Sequence, residues 1–389
     1  SSDYARQDHW SPAIISDEGV FLSGTSLWYP DMGDYLHTFN MQIDLPDGWT
    51  AVSQGLAVPG KKNSWQENLP QEEIYLVAGR YHVYEKPGST ALAQVFLRQA
   101  DQSLAEQYLS VTEQYIDLYG RMLGEYPYGK FALVENFLQT GYGMPSFTLL
   151  GSRVIRLPFI PYTSYPHEIL HNWWGNGVYI DFATGNWAEG LTSYLADHLL
   201  KEQRGEGANY RRDALQKYAD YVSEQKEFPL NEFRGRHSQA SQAIGYGKVM
   251  MFFHQLRQQL GDKTFVDGLR LFYRDNRFTV AGYQQLREAL EQVSDKDLSP
   301  MFEQWLKRTG APELEITAAN VTRDKGIYEL SLQLTQRQAD DAFVLSIPVW
   351  VKTESEAGPH MERIEMTSKQ QVFTIGLDKR PLALAVDPQ

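Results

Sequence analysis

The sequence predicts a multidomain α+β protein in which β-rich regions lie on either side of a helical middle. Its 389 residues are enough for two or three domains with cores of their own. Near the N-terminus and in the last quarter of the chain, apolar and polar residues alternate, as they do in half-buried strands. Between these regions, apolar residues recur every three or four positions, as they do in amphipathic helices. We therefore expect domains at residues 1–100, 101–311 and 312–389.

The first region, residues 1–100, is expected to form a short N-terminal β-domain. Apolar side chains alternate with polar ones over residues 39–45, and a Pro-Asp-Gly turn follows. Two further strands are expected at residues 74–84 and 91–97, since both stretches are rich in apolar and β-branched residues.

The middle region begins with a predicted helix over residues 101–123, whose apolar residues form one stripe. Ser103 and Glu106 have the spacing of a capping box at its start. Similar stripes predict the helices that follow. Ser299 and Pro300 are placed to act as the N-cap and the first residue of the last helix.

The last region is expected to be a C-terminal β-sandwich. A Gly-Ala-Pro sequence at residues 310–312 ends the helical pattern, and residues 328–334 then alternate cleanly between apolar and polar side chains. Further strands are expected at residues 344–351, 371–375 and 382–386. Several short strands separated by turns are typical of a sandwich.

Composition limits the classes of partner. The net charge of −13 and the isoelectric point near 5.2 argue against nucleic acid, which binds basic surfaces. Cationic or neutral peptides remain suitable partners. The chain has no cysteine, which excludes disulfides, thiol catalysis and cysteine metal ligands. No apolar run approaches the roughly 18 residues of a membrane helix, so no membrane span is expected. The oligomeric state stays open.

The stretch from Ser164 to His198 contains the most informative pattern in the chain. His167 and His171 stand four residues apart, and on a helix such positions share one face. Both imidazoles can therefore meet one metal ion. Glu168 lies about 100° further round the helix, from where its carboxylate can reach a water molecule beside the metal.

The third metal ligand is expected on the next helix. Glu189 opens a segment with helical spacing of apolar residues. Two histidines, one carboxylate and an open fourth position describe a catalytic site for one Zn²⁺ ion. Composition alone produces the HExxH pattern with odds of about one or two in a hundred, and paired histidines also occur as ordinary surface or core residues. The residues that follow argue against coincidence.

The sequence HEILHNWWGN followed by NWAEGLTSYL resembles the M1 family of zinc aminopeptidases, in the gluzincin clan. That family has HExxH, then WWGN, then a helix that begins with Glu-Gly. The resemblance implies a thermolysin-like, mainly α catalytic domain with flanking β-domains. It also implies that His167, His171 and Glu189 bind zinc and that Glu168 is the catalytic base. The family usually has eighteen residues between the second His and the Glu, whereas seventeen separate His171 from Glu189.

A second motif both matches the family and departs from it. M1 aminopeptidases carry Gly-x-Met-Glu-Asn before the zinc helix, and here the sequence is GYGMPS. The resemblance implies that Gly141, Gly143 and Met144 line the cleft and bind substrate. Pro145 and Ser146 take the places of the family's Glu and Asn. Proline has neither a carboxylate nor an N–H, so it cannot hold the α-ammonium group of a substrate.

The substitution at Pro145 leaves three outcomes open. Another acid, Glu135 or Glu18, could bind the amino end of the substrate. The enzyme could accept internal or N-blocked peptide bonds. The chain could instead have changed its substrate. Without the family resemblance, GYGMPS is an ordinary Gly/Pro turn.

Tyr246 falls on the family's catalytic tyrosine, in the sequence GYGK before an apolar helix. A phenol O–H aimed at the developing oxyanion stabilises the transition state more than the ground state. Glycines on both sides distinguish Tyr246 from the other tyrosines of the chain, which has 23 in all.

The sequence as a whole favours a zinc-dependent metallopeptidase that removes N-terminal residues from peptides. The alternative is a zinc hydrolase acting on internal or N-blocked peptides. A third hypothesis is that the chain is a non-catalytic zinc-containing binding protein. The retention of Glu168 and Tyr246 argues against it. A periplasmic or cell-envelope location is suspected from the GYGMPS variant, and a cytoplasmic location stays open. Charged residues at the start of the chain do not form a signal peptide, so any export signal would already have been removed.

Overall fold

A computed structural model describes residues 13–30, 33, 35–137, 141–354 and 358–388. Sheets form the N-terminal part, helices the middle and sheets again the C-terminal part, so the predicted α+β class and its order along the chain are confirmed. The first strands are β1 (Ala13–Ile15), β2 (Val20–Leu22), β3 (His37–Gln42), β4 (Thr50–Val52), β5 (Leu56–Ala57), β6 (Ser64–Gln71), β7 (Leu76–Gly79), β8 (His82–Pro87) and β9 (Leu92–Leu97).

The N-terminal strands form two small antiparallel sheets. One has the order β1-β2-β7-β4 and the other β3-β6-β5. The single strand predicted at residues 74–84 is wrong, because the chain changes sheets there. β7 pairs with β2 and β4, whereas β8 pairs with β9 in a different sheet. Arg80 and Tyr81 make this change of direction, which the apolar pattern does not reveal.

A five-stranded mixed sheet connects this region to the helical middle. Its additional strands are β10 (Lys130–Asn136), β11 (Gly141–Met144) and β12 (Phe147–Gly151). The order is β11-β12-β10-β9-β8, with β9, β10 and β12 parallel and the two edge strands antiparallel to their neighbours. The sheet thus joins strands from both sides of the expected boundary at residue 100, and the division into three domains stays a prediction.

The long first helix packs against this sheet. The helices are α1 (Gln102–Leu123), α2 (Ser164–Leu170), α3 (Ala188–Thr192), α4 (Leu199–Glu202), α5 (Gly207–Tyr221), α6 (Gln239–Gln242), α7 (Val249–Leu260), α8 (Asp262–Asn276), α9 (Tyr283–Ser294) and α10 (Ser299–Lys307). Asp101 caps α1 by accepting a hydrogen bond from the Leu104 N–H at 3.0 Å. The predicted capping box at Ser103 is therefore wrong, because the helix already begins before that residue. Ser299 is likewise the first helical residue of α10 and not its N-cap.

Two π-helical turns connect pairs of these helices. The turn at Ser193–His198 joins α3 to α4, and the turn at Ala243–Lys248 joins α6 to α7. Each adds a residue to a helical turn and so rotates the side chains that follow. The short strands β13 (Tyr179–Ile180) and β14 (Val280–Ala281) pair in parallel between the helices.

The C-terminal part contains two three-stranded antiparallel sheets. Their strands are β15 (Leu314–Asp324), β16 (Ile327–Gln336), β17 (Leu345–Thr353), β18 (His360–Met366), β19 (Gln370–Leu377) and β20 (Pro381–Val386). The sheet orders are β15-β16-β19 and β18-β17-β20. Alternate side chains of β16 and β17 are buried in the same core cluster as the helices. Trp305 on α10 stacks on Phe343 with ring centres 5.3 Å apart, so the core continues across the expected boundary at residue 312.

Within the described ranges, no helix is long and apolar enough to cross a membrane.

A buried polar network fixes the turn between β11 and β12. Lys130 is 1% exposed, and its ammonium donates hydrogen bonds to Ser146 Oγ at 2.8 Å and to the Ser146 carbonyl at 3.2 Å. The Ser146 N–H donates to Asn172 Oδ1 at 2.8 Å. Asn172 in turn donates to the Ile169 carbonyl at 2.9 Å. The network thereby attaches the turn to α2, while Ser146 holds a left-handed backbone conformation with φ of 66°.

Because of Lys130, the free energy of unfolding is expected to depend on pH. Burial lowers the pKa of Lys130 to about 7, against which the negative charge of Glu67 acts. Between that value and the ordinary lysine pKa near 10.4, the unfolded chain therefore holds a proton that the folded chain has lost. The free energy of unfolding then rises with pH across this interval, by up to about 1.4 kcal/mol per pH unit.

We predict that Lys130→Met removes most of this rise. Urea unfolding at pH 7.5, 8.5 and 9.5 would measure it, with Lys62→Met as the control because Lys62 is exposed. A Lys130→Met protein that keeps the wild-type pH slope would show that the lysine is not buried as described.

Candidate active site

The helix α2 presents two imidazoles and a carboxylate to a large cleft. Tyr165, Ile169 and Leu170 are buried beneath the helix, which leaves the opposite face to His167, Glu168 and the following residue His171. The cleft has a volume of about 1220 Å³, and these three residues line it. His171 stands just after the last residue of α2 but keeps the right-handed helical conformation. The spacing of four residues therefore brings both rings to one side.

The next helix brings Glu189 to the same point. Glu189 Oε2 lies 3.5 Å from His167 Nε2 and 3.4 Å from His171 Nε2, and the two Nε2 atoms are 3.1 Å apart. Gly190 permits this approach, because a Cβ there would collide with Val249 on α7. These three residues form the one cluster of metal-ligand type found among the described residues.

The other nitrogen of each imidazole has a partner of its own. His171 Nδ1 lies 3.0 Å from the carbonyl oxygen of Trp174, which can only accept, so this nitrogen carries the proton. His167 Nδ1 lies 2.9 Å from Asp197 Oδ2 and donates to it likewise. In the neutral tautomers, both Nε2 lone pairs then face the carboxylate of Glu189. Three acceptor atoms that converge in this way favour a positive charge among them, either a metal ion or a proton on an imidazole.

The spacing suits a tetrahedral ion. Nitrogen and oxygen ligands at the usual distances from Zn²⁺ lie about 3.3 to 3.5 Å from one another. The two separations that involve Glu189 agree with this range, and the 3.1 Å between the two Nε2 atoms is slightly shorter. The electrostatic field favours a cation as well. Burial lowers the pKa of His171, but Glu189 outweighs it and raises the pKa above the ordinary value. For His167, Asp197 and Glu189 outweigh burial in the same way.

The carboxyl groups of the site differ in their pKa. Burial would raise the pKa of Glu189, but the two imidazoles beside it hold the pKa well below its usual range. For Glu168, burial dominates and raises the pKa, with the imidazoles acting in the opposite direction. Glu189 is therefore suited to stay ionised as a ligand, whereas Glu168 is suited to accept and return a proton.

Backbone from β11 lies directly against Glu168. A Cβ built on Gly143 would stand 2.7 Å from Glu168 Oε2, so a larger residue there would displace this carboxylate. Gly141 and Gly143 both line the cleft. The expected cleft position of Met144 is wrong, because successive strand residues face opposite sides. Met144 is buried in the second core cluster, behind the strand.

Tyr246 reaches the site from the second π-helical turn. Its ring lies parallel to that of His167, with ring centres 6.4 Å apart. Burial raises the pKa of Tyr246 well above its usual value, and the charges of Glu189 and Glu168 raise it further. The phenol therefore keeps its proton at neutral pH and can donate a hydrogen bond.

The two acids expected as replacements at the amino end are not available in the cleft. Glu135 is 2% exposed, forms an ion pair with Arg156 at 2.7 Å and accepts a hydrogen bond from the Arg98 N–H. Glu18 lies on an exposed turn outside the residues that line the cleft.

Sequence reasoning missed two acids that the structure brings to the cleft. Asp197, which holds His167, stands on the π-helical turn after α3. The sequence could have indicated this residue, because Asp197 is an acid eight residues after Glu189 on the same helical segment. Glu72 lines the cleft from the N-terminal sheets, and nothing in the local sequence distinguishes it from its neighbour Glu73.

Comparisons with known proteins find similarity to peptidases. Residues 164–305 match the Peptidase family M1 domain. The chain is 24% identical over 332 residues to "Aminopeptidase N" of Streptomyces lividans, covering 74% of this chain and 38% of the relative. It is 25% identical over 290 residues to "Alanine/arginine aminopeptidase" of Saccharomyces cerevisiae, covering 66% of this chain and 33% of the relative. The chain thus spans about a third of the length of these curated relatives.

A solved structure has the same fold. The crystal structure of Legionella pneumophila aminopeptidase A in complex with aspartic acid matches 96% of this chain and 47% of that chain, with a TM-score of 0.69 and 15% sequence identity. The matched family domain covers both helices that carry the His-His-Glu cluster, together with Tyr246. Over the segment that holds this cluster, the chain is therefore similar to the M1 family of peptidases.

Proposed function

We propose that the chain is a zinc-dependent metallopeptidase that hydrolyses peptide bonds, acting at N-terminal residues. The convergence of His167, His171 and Glu189, with acceptor atoms 3.1 to 3.5 Å apart, is the observation that carries this proposal. The names of the relatives, which are aminopeptidases, support the choice of reaction.

The finer description of the architecture belongs to the same proposal. We assign the helical middle to a thermolysin-like catalytic domain and the two C-terminal sheets to a β-sandwich. The burial of alternate side chains on β16 and β17 supports the sandwich, because facing sheets bury every second residue.

The donor set suits one Zn²⁺ ion. Two imidazole nitrogens and one carboxylate oxygen are the protein ligands of many catalytic zinc sites. Bound there, zinc supplies Lewis-acid chemistry by lowering the pKa of a water in its open position and by polarising the substrate carbonyl. Asp197 and the Trp174 carbonyl hold the two imidazoles in the tautomer that the ligands need.

Glu168 acts as the general base and then as the general acid. Its carboxylate takes a proton from the attacking water while the water oxygen bonds to the scissile carbonyl carbon. It then returns the proton to the amine nitrogen as the C–N bond breaks. A raised pKa brings the carboxyl closer to the working pH and so favours both transfers.

Tyr246 and β11 act on the substrate itself. The protonated phenol donates a hydrogen bond to the oxyanion that develops on the carbonyl oxygen. β11 is an edge strand of the five-stranded sheet, and Gly141 and Gly143 leave its backbone accessible to an extended peptide.

An alternative is a zinc hydrolase for internal or N-blocked peptides. Pro145 supports it, because the family's amino-binding carboxylate is missing there. The third hypothesis, a non-catalytic zinc-containing protein, gives no reason for Gly143 to lie against Glu168 or for Tyr246 to face the ligands.

A mixed peptide pool tests these functions directly. Half of the peptides carry free N-termini and half are N-acetylated, and mass spectrometry follows their cleavage by zinc-loaded protein. Stepwise loss from free N-termini supports the aminopeptidase. Cleavage of the acetylated half supports the alternative, and no cleavage of either half contradicts a peptidase.

We predict that Glu168→Gln keeps one zinc per chain and loses turnover by about 10² to 10⁴, since the amide retains the shape but cannot take a proton. Metal analysis and peptide cleavage measure the two effects. Glu189→Gln is the matched variant and is expected to lose zinc as well. Loss of zinc from Glu168→Gln would show that Glu168 is a ligand.

We predict that Tyr246→Phe lowers kcat by about 10² to 10³, the usual effect of removing one oxyanion donor, with little change in KM. Steady-state kinetics on a free tripeptide measure it. The control is Tyr221→Phe, which removes another hydroxyl from the cleft lining. An equal kcat in wild type and Tyr246→Phe would refute the role.

We predict that Asp197→Ala weakens zinc binding about 10- to 100-fold, because His167 loses the acceptor that fixes its ring. Competition with a chelator measures the affinity. Asp220→Asn, on the exposed side of α5, is expected to bind zinc like the wild type. Equal affinities in all three proteins would remove Asp197 from the site.

A further inference from the structure

The cleft contains a carboxylate that the proposed chemistry does not use. Glu72 follows β6 and lines the same cleft as Glu168. The charge of Glu73 raises the pKa of Glu72, and the charge of Glu72 in turn raises the pKa of Tyr75 and Tyr179. None of them carries a positive charge. In the part of the chain that the structure describes, no ion pair holds this carboxylate.

The surroundings of Glu72 favour a cationic ligand. Burial, reinforced by the charge of Glu73, raises the pKa of the Glu72 carboxyl to about 7. The residue is nevertheless exposed, and it lines the cleft, so a ligand can reach it. A cation bound there would compensate the charge that the protein leaves uncompensated.

The other acids of the cleft are engaged or stand among basic groups. Glu189 belongs to the metal cluster, and Asp197 holds His167. Glu168 lies against Gly143 as the base. Asp213, on α5, shares its part of the lining with Lys217.

Several basic side chains also line the cleft. Lys201, Arg204, Lys217 and Arg236 all line it. Lys201, twelve residues after Glu189 in the sequence, forms an ion pair with Glu206 at 2.6 Å. Cations in the lining repel an ammonium and attract a carboxylate, so an ammonium is expected to bind at an acid of the cleft that no cation pairs with.

We propose that Glu72 binds the α-ammonium group of peptide substrates, in place of the carboxylate that is missing at Pro145, and so determines specificity for free N-termini. This proposal rests on the proposed peptidase function. Under this proposal, the substrates are peptides with an unblocked amino end. Glu72 is then a residue that determines specificity.

The kinetic test compares pairs of peptides that differ only in N-acetylation, at pH 8, where the Glu72 carboxyl is ionised. In Glu72→Gln, kcat/KM for free peptides is expected to fall about 10- to 100-fold, mostly through KM. The value for acetylated peptides is expected to stay within about twofold, because they carry no ammonium to lose. An unchanged ratio between the two classes would overturn the proposal.

Three variants serve as controls. Glu73→Gln removes a neighbouring acid outside the residues that line the cleft, and Glu18→Gln removes the acid first considered from the sequence. Both are expected to keep the wild-type preference. Asp213→Asn tests the acid on α5. A loss of preference in Asp213→Asn or Glu18→Gln, with none in Glu72→Gln, would assign the ammonium site elsewhere.

A binding measurement separates this inference from the proposed reaction. Calorimetry compares Leu-Gly-Gly with its N-acetyl form on zinc-loaded Glu168→Gln protein, with and without Glu72→Gln. Weaker binding of the free peptide alone in the double variant supports the ammonium site, even if the wild type cleaves nothing. Equal binding in both proteins refutes the site, even if the wild type proves to be a peptidase.

Discussion

The mutual approach of three acceptor atoms is the constraint on which the rest of the cleft depends. Two imidazole nitrogens and a carboxylate oxygen meet within 3.5 Å of one another, an arrangement that is unfavourable unless positive charge lies among them. The protein holds them there with contacts of different kinds. Asp197 and the Trp174 carbonyl fix the two rings, and Gly190 lets the helix of Glu189 pack closely against α7. A site so constrained is organised before its ligands arrive.

The same constraint explains why the turn after β11 is built so rigidly. Gly143 must lie against Glu168, and a displaced strand would either press on this carboxylate or leave it to water. Lys130, Ser146 and Asn172 connect the turn to α2 through buried hydrogen bonds. Pro145 and Ser146 stand where the sequence resemblance led us to expect Glu and Asn, and Ser146 faces inward to this network. Recognition of the substrate's amino end would then have to come from another part of the chain.

The sequence was informative where the relevant geometry is local. A spacing of four residues brings His167 and His171 together on any helix, and the Glu-Gly pattern indicated Glu189. Local patterns gave wrong or incomplete predictions where the three-dimensional fold decides the position of a residue. Met144 was expected in the cleft, but successive side chains of a strand face opposite sides, and Met144 faces the core. On a straight α-helix, Asp197 would stand about 80° round from Glu189. The π-helical turn inserts one residue and returns it to the same side. Glu72 reaches the cleft only through contacts between distant segments, which a single sequence does not show.

The continuous core has a consequence for how this chain can be divided. The portion that matches the family, residues 164–305, contains the metal-ligand cluster and Tyr246 but not the surfaces that bury their supporting helices. Trp305 would lose the ring of Phe343, and the strand β12 beneath α2 would be absent. A fragment cut to residues 164–305 is therefore expected to expose apolar surface and to fold poorly, although it contains every member of the His-His-Glu cluster.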